Sequence, residues 1–367
     1  DSNNNEIYNN FFNNTINASN GSISRGVENL FSNINLGNGV FRWDVNCTDA
    51  AANNGTNGTL RAIKVDTVKP AITLIDPPNE SVIQANHSIN FTITDTGSGR
   101  NNVSWSSNYE VDSQVFIGNY AINTSEFPEG GTNITIFAND SAGNIERITW
   151  TFTIDNTPPI VTFNKPNTRQ VVRGIFRVNV TGTDQLSNVS NVTFAFNGSS
   201  NFTMARATLP SSDYFYDWNT TNATDKEYII KIYGNDTAIP PNVKFVSRIA
   251  IVDNTAPAIR LDSPSNNTFS NITLNSFTFA VFELNSINNC SLMINGSINA
   301  TLTSLNKNAT NSFAVNLSDG TYRWNVNCTD ESIDSTGERN SGVNSTDYII
   351  SVDTTIPKNN ISMNATT

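Results

Sequence analysis

The chain has 367 residues, a formal net charge of −11 and only 14% charged residues. That acidity excludes nucleic acid as a partner, because phosphate binding needs a basic patch. No window holds about 18 consecutive apolar residues, so no membrane-spanning helix is predicted.

The neutral polar residues are unusual. Asn fills about one position in six, and Ser with Thr roughly another fifth. Asn-x-Ser/Thr triplets number about thirty, where composition alone predicts about thirteen. Asn and Thr also suit turns and strand surfaces, which accounts for part of the excess. The remainder predicts N-linked glycans and a secretory route, with Asn90, Asn133, Asn179, Asn191, Asn271 and Asn344 as candidate carriers.

One short stretch recurs four times: KVDTVKP ending at Pro70, TIDNTPP at Pro159, IVDNTAP at Pro257 and SVDTTIP at Pro357. Asp66, Asp155, Asp253 and Asp353 therefore recur at roughly 90–100 residues, the length of a small β-sandwich. An Asp followed by Thr can hydrogen-bond the departing chain, and a Pro lacks the N–H that would continue a ladder. The four stretches read as domain linkers.

Between them the pattern is that of strands. The first division, residues 1–68, holds NGVFRWDVNCTD (Asn38–Asp49) but lacks the opening strands of a full domain. In the second, 69–157, NFTIT (Asn90–Thr94) and NITIF (Asn133–Phe137) alternate at period two. Phe91, Ile93, Ile134 and Ile136 then share a core face, while Asn and Thr share the wet one. The third, 158–255, has FRVNV (Phe176–Val180) and EYIIKIYGND (Glu227–Asp236). The fourth, 256–355, has SFTFAVF (Ser276–Phe282) and DGTYRWNVNCTD (Asp319–Asp330). Residues 356–367 fall where the first strand of a further unit would lie.

The long strand ending in Asp aligns across all four. Its inward set is Tyr322, Trp324, Val326 and Cys328, matched by Phe41, Trp43, Val45 and Cys47, by Ile134, Ile136 and Ala138, and by Tyr228, Ile230, Ile232 and Gly234. With the V-D-x-T-x-P linkers and the D-x-x-G-N turn at Asp140–Asn144, this resembles the tandem immunoglobulin-like domains of large archaeal and bacterial surface proteins. The resemblance implies an all-β fold of tandem Ig-like sandwiches, arranged as beads on a rod, in a cell-surface setting.

Two cysteines fit the repeat. Cys290 precedes a predicted strand, and Cys328 closes the inward set of the long one. Where the aligned domains lack the second cysteine, at Ala138 and Gly234, the first position is Val103 or Val192, so both members change together. A Cys290–Cys328 disulfide is expected, joining the third and sixth strands, with buried thiols as the alternative. Cys47 has no cysteine at the aligned position near Asn5. It is expected to bridge to another chain, to remain a thiol, or to pair beyond the sequence.

Little supports catalysis. The single histidine, His87, sits in an Asn-His-Ser triplet beside a strand and reads as a surface residue. Neither a nucleophile turn nor a zinc cluster nor a phosphate-cradling glycine loop is present, so no enzyme is predicted. Lys64 and Lys231 fall on outward positions, which argues against Lys–Asn crosslinks. Calcium is the one metal with a footing, at Asp140 and Asp330 beside the linker acids, although each linker offers one carboxylate.

The expected function is that of an extracellular structural glycoprotein: a filament, surface layer or stalk with itself as partner. The tail NNISMNATT would complete a neighbour's first domain by strand addition, or the sequence is a window of a longer repeat protein. The alternative is an adhesin or carbohydrate-binding module contacting other cells or surfaces, or a non-catalytic arm of a secreted enzyme. Carbohydrate binding would need exposed aromatics, with Trp105 and the run Tyr214–Trp218 as candidates.

Overall fold

The computed structural model describes residues 7–12, 15–20, 26–56, 58–109, 111–114 and 120–359. Residues 360–367 of the tail therefore lie outside the described residues. Among those described, the regular elements are β-strands, and the chain is an all-β protein of Ig-like sandwiches in tandem. It divides into two compact units: the chain to Thr157 with Thr237–Asn242, and Pro158–Asp236 with the chain from Val243 onward.

The first unit opens with one five-stranded sheet. Thr15–Asn20, Ile7–Phe12, Gly39–Thr48 and Asn54–Thr56 lie in that order, with Arg61–Val65 also paired to Gly39–Thr48. No second sheet accompanies it among the described residues, and Phe41, Trp43, Val45 and Cys47 stay half-buried. A complete module follows. Tyr120–Ile122, Ile89–Thr94 and Ala71–Asp76 form one sheet; Val111–Gln114, Arg100–Ser107, Gly130–Asp140, Ile145–Ile154 and Val82–Ile83 form the other. Alternation sends Phe91, Ile93, Ile134 and Ile136 into a shared core. Each such burial stabilises by about 1.5–3 kcal/mol before entropy is counted.

The second unit holds two modules. In the first, Ile160–Lys165, Ile175–Thr183, Asp213–Asn219 and Ala205–Arg206 pack over a five-stranded sheet that includes Val189–Phe196, Lys226–Asp236 and Val243–Val252. In the second, Ala258–Ser263, Leu274–Phe282 and Thr310–Asn316 pack over a six-stranded sheet built on Gly320–Asp330.

One arrangement repeats across the three complete modules. The long strand ending in Asp is the middle of its sheet, with the strand before the linker on one side and the module's fourth strand on the other, Arg100–Ser107, Val189–Phe196 or Ile287–Ile294. A short strand near each module's start pairs in parallel with the strand before its linker.

Cys290 lies inside the strand Ile287–Ile294, not before it, directly opposite Cys328, with a Cα–Cα distance of 4.0 Å. The two form a disulfide within one sheet, joining the fourth strand to the long one; the expected count of third and sixth omits the short early strand. Val103 faces Ala138, and Val192 faces Gly234, at the corresponding places. All six are buried. Gly234 is tied to its place, since a Cβ there would stand 2.5 Å from Cγ2 of Val161. The residue opposite Cys47 is Tyr8, three positions along from the expected Asn5, because the antiparallel register runs Ile7↔Thr48 to Phe12↔Trp43.

Candidate functional site: the module junctions

Each linker is a folded turn. The Oδ1 of Asp66, Asp155, Asp253 and Asp353 accepts the backbone N–H two residues on, at 3.0, 3.0, 3.2 and 3.0 Å. A polar residue at the start of the long strand then holds the linker Thr. Asn38 accepts from Thr67, Glu129 from Thr157, Asp225 from Thr255, and Asp319 from Thr354 and Thr355. The sequence folds this way because Asp suits the Asx turn and the Thr hydroxyl reaches back across the sheet end.

An asparagine from further along the chain clasps each of the first three linkers. Asn144 Nδ2 donates to the backbone oxygens of Asp66 (3.0 Å) and Val68 (3.3 Å), and to Asp140 Oδ2 (2.7 Å). Asn340 Nδ2 repeats this on Asp253 O (3.0 Å), Thr255 O (3.2 Å) and Asp330 Oδ2 (3.1 Å). Asn242 donates to Asp155 O at 2.9 Å. The carbonyls of Asp155 and Asp253, both buried residues, are thereby satisfied.

The carboxylates gather at the same places. Asp66, Asp95 and Asp140 in the first unit, and Asp253, Glu283 and Asp330 in the second, each offer one oxygen within 4.8 Å of the others. Asp140, Asp253 and Asp330 are buried. The Asp66 carboxylate packs against Gly97, where a Cβ would come within 2.2 Å of Oδ2. Ser98 N–H donates to that oxygen at 2.5 Å. Asp95 Oδ2 accepts from Gly97 and Gly99, while its buried Oδ1 has no hydrogen-bond partner. Clusters of this composition can coordinate a divalent ion such as Ca²⁺, which takes six to eight oxygens.

The electrostatics of the two clusters differ. Hydrogen bonds from Val68 and Ser98 hold the Asp66 carboxyl below its ordinary range. For Asp140, burial pushes upward, but the bonds from Asn144, Ala142 and Gly143 outweigh it and the net shift is downward. In the second unit, burial and then neighbouring acids raise both Asp253 and Glu283, against the bonds they accept. Like charges converge there with too few donors to balance them.

The other sequence-predicted sites are scattered. Asn133 and Asn271 are exposed; Asn90, Asn179, Asn191 and Asn344 are half-buried. His87 is half-buried with Nε2 2.9 Å from Asp76 Oδ2. Trp105, Tyr214 and Trp218 are buried in their cores, so this run presents no exposed aromatic cluster. Asp95, Glu283 and the three clasp asparagines were not anticipated as one site. The clasp lies four, six and ten residues after Asp140, Asp236 and Asp330, and that drift hides it from motif reading.

The bacterial Ig domain family matches residues 159–232. No curated protein matches the chain. Among solved structures, the fibronectin(III)-like modules of Clostridium thermocellum CbhA are 18% identical with a TM-score of 0.34, covering 50% of this chain and 95% of that one. A Bacteroides ovatus protein from a mixed-linkage glucan utilization locus, SGBP-B, is 17% identical with a TM-score of 0.21, covering 79% and 71%. Sidekick-1 immunoglobulin domains 1–5 are 12% identical with a TM-score of 0.34, covering 85% and 66%. Likenesses of this size add nothing to the strand order described above. The architecture is that of Ig-like sandwich modules. The disulfide belongs to an oxidising compartment, outside the cytosol.

Proposed function

We propose that the chain is a spacer and contact segment of an extracellular surface protein, acting by adhesion and presentation and not by catalysis. The observation that supports this best is the junction built the same way in each unit: Asx turn, Thr tether, asparagine clasp and three gathered acids. Such construction suits a protein whose task is to hold successive modules in place. Ca²⁺ at Asp66–Asp95–Asp140 and Asp253–Glu283–Asp330 completes the junctions in this reading. The partnerless Asp95 Oδ1 and the uncompensated acids of the second cluster favour a cation there. The ion would neutralise the acids; the linker turns, tethers and clasps come from the protein itself.

The test is binding of the purified protein to immobilised polysaccharides and whole cells, with and without Ca²⁺, alongside its sedimentation. Retention on a surface as a monomer supports adhesion; sedimentation as a polymer without surface binding rejects it in favour of a filament. That second reading has its own support in the first sheet, where Phe41, Trp43, Val45 and Cys47 are half-buried although their counterparts Trp324, Val326 and Cys328 are fully buried. A strand from a second copy would cover that face.

A further inference from the structure

The asparagines of this protein use their two amide ends differently according to the sequence that follows. Between described residues, hydrogen bonds from Nδ2 start at thirteen asparagines outside Asn-x-Ser/Thr triplets, and inside triplets Asn90 and Asn344 donate in the same way. Ten triplet asparagines are instead acceptors at Oδ1. For seven of the ten the donor is a backbone N–H, which can meet only Oδ1, and this fixes the orientation of the amide. Thr151 N–H meets Asn79 Oδ1, Ile229 N–H meets Asn197 Oδ1, Ile349 N–H meets Asn266 Oδ1 and Arg323 N–H meets Asn295 Oδ1, all at 2.9 Å.

Burial divides them the same way. The five buried asparagines, Asn242, Asn275, Asn311, Asn325 and Asn340, all lie outside triplets, although triplets claim more than half of the asparagines with described side chains. Turn chemistry alone does not produce this. An asparagine favoured only for its turn has no reason to keep Nδ2 open when a Ser or Thr stands two residues on.

From this division we infer that triplet asparagines held through Oδ1, such as Asn79, Asn197, Asn266 and Asn295, are glycan carriers whose folded positions leave Nδ2 available. A separate set outside triplets spends Nδ2 on structural bonds. Glycosyl transfer needs that atom. The C1–O bond of a sugar on a lipid phosphate or pyrophosphate breaks, C1–Nδ2 forms, Nδ2 gives up one proton, and the lipid phosphate leaves with the bonding pair. Oδ1 is untouched, so the bond it accepts from a distant backbone N–H survives modification. At the clasp the same reaction would consume a donor that holds a linker, and Asn144, Asn242 and Asn340 each lack the Ser or Thr that would permit it. Asn344, whose Nδ2 donates to Thr346 O at 2.8 Å, is the triplet least compatible with a sugar among those with a described bond. The inference rests on the extracellular reading, but not on what the array contacts, so a failed adhesion test leaves it standing.

Two measurements test it. Glycopeptide mass spectrometry of the protein from its own source is expected to find sugar on Asn79, Asn197, Asn266 and Asn295, with occupancy at Asn344 several-fold lower. An absence of glycan on every triplet, or Asn344 as fully occupied as Asn295, overturns it. In unglycosylated protein, Asn197→Asp and Asn266→Asp keep Oδ1 and should leave Tm within about 1 °C. Asn311→Asp loses donors to Asn306 O and Ala309 O and should lower Tm by about 4 °C or more. Equal losses at all three would show that Nδ2 is not spared and would also overturn it.

Discussion

Asn340 places one amide on three acceptors, two of them carbonyls of a linker, so its removal should be felt well beyond its size. Asn340→Ala leaves Asp253 O, Thr255 O and Asp330 Oδ2 short of a donor. The expected cost is about 2–3 kcal/mol, read by equilibrium denaturation. Gly342 lies two residues on, where a Cβ would stand 1.8 Å from the Pro257 carbonyl oxygen. Because the obstacle is backbone, Gly342→Ala should destabilise by about 1–3 kcal/mol, whereas Gly198→Ala, with open space around it, should cost only its backbone strain. Protons act here as well. Asp319 is held below its ordinary value of 3.8 by the N–H of Thr354, then by the hydroxyls of Thr354 and Thr355. The folded state therefore binds fewer protons than the unfolded one. That stabilisation is complete above the unfolded value and is lost as pH falls through the folded one. Amide exchange at Thr354, whose N–H donates to Asp319, should, once corrected for intrinsic rate, stay constant from pH 7 to 5 and rise only below about pH 4. Asp253 and Glu283 run the other way. Their raised values favour the protonated folded form, so in cation-free protein their contribution falls as pH rises out of the ordinary carboxylate range and through the folded values.

At the level of strands, the disulfide ties two neighbours already joined by a ladder, closing a separation of 38 residues. Its stabilisation thus comes mainly through the unfolded state, about 3–4 kcal/mol. Reduction should lower the stability of the module that holds it by that order and leave the modules with Val103–Ala138 and Val192–Gly234 unchanged, which tryptophan fluorescence with and without reductant can follow. This pairing was legible in the sequence because both partners of each cross-strand pair change together. Core faces such as Ile134 and Ile136 were legible too, since period-two alternation states directly which side is dry. The acid clusters were not. Asp95 and Glu283 follow strands in loops of ordinary appearance, and only the fold brings them to a linker Asp far away in sequence. The clasp escaped for a different reason: its asparagine is set by where the loop returns to the linker, not by a fixed count of residues. Cys47 shows the limit of alignment across strands, since a three-residue offset replaced the expected neighbour with Tyr8.

For the molecule as a whole, a divalent cation is the variable with the widest expected effect. A ligand that binds only the folded state at a hundred times its Kd stabilises by about 2.7 kcal/mol per site. Calorimetry in Ca²⁺ and then in chelator should show each unit's transition move by several degrees, and linker proteolysis should slow with the ion present. Unchanged transitions would remove the cation from the proposed function while leaving turns and clasps intact. The parallel pairing of each module's short early strand with its last one has a mechanical corollary. Once the first strand of a module has come away, tension along the polypeptide falls on Val82–Ile83 and Ile145–Ile154, Gln170–Val172 and Val243–Val252, or Thr268–Ser270 and Tyr348–Val352. Strands paired in parallel are pulled in shear, so their hydrogen bonds resist together and do not peel one at a time. Forced rupture is governed by the unfolding rate rather than by equilibrium stability. The module with Cys290–Cys328 would also release less length once ruptured, because about 38 residues, roughly 130 Å of contour, stay locked behind sulfur.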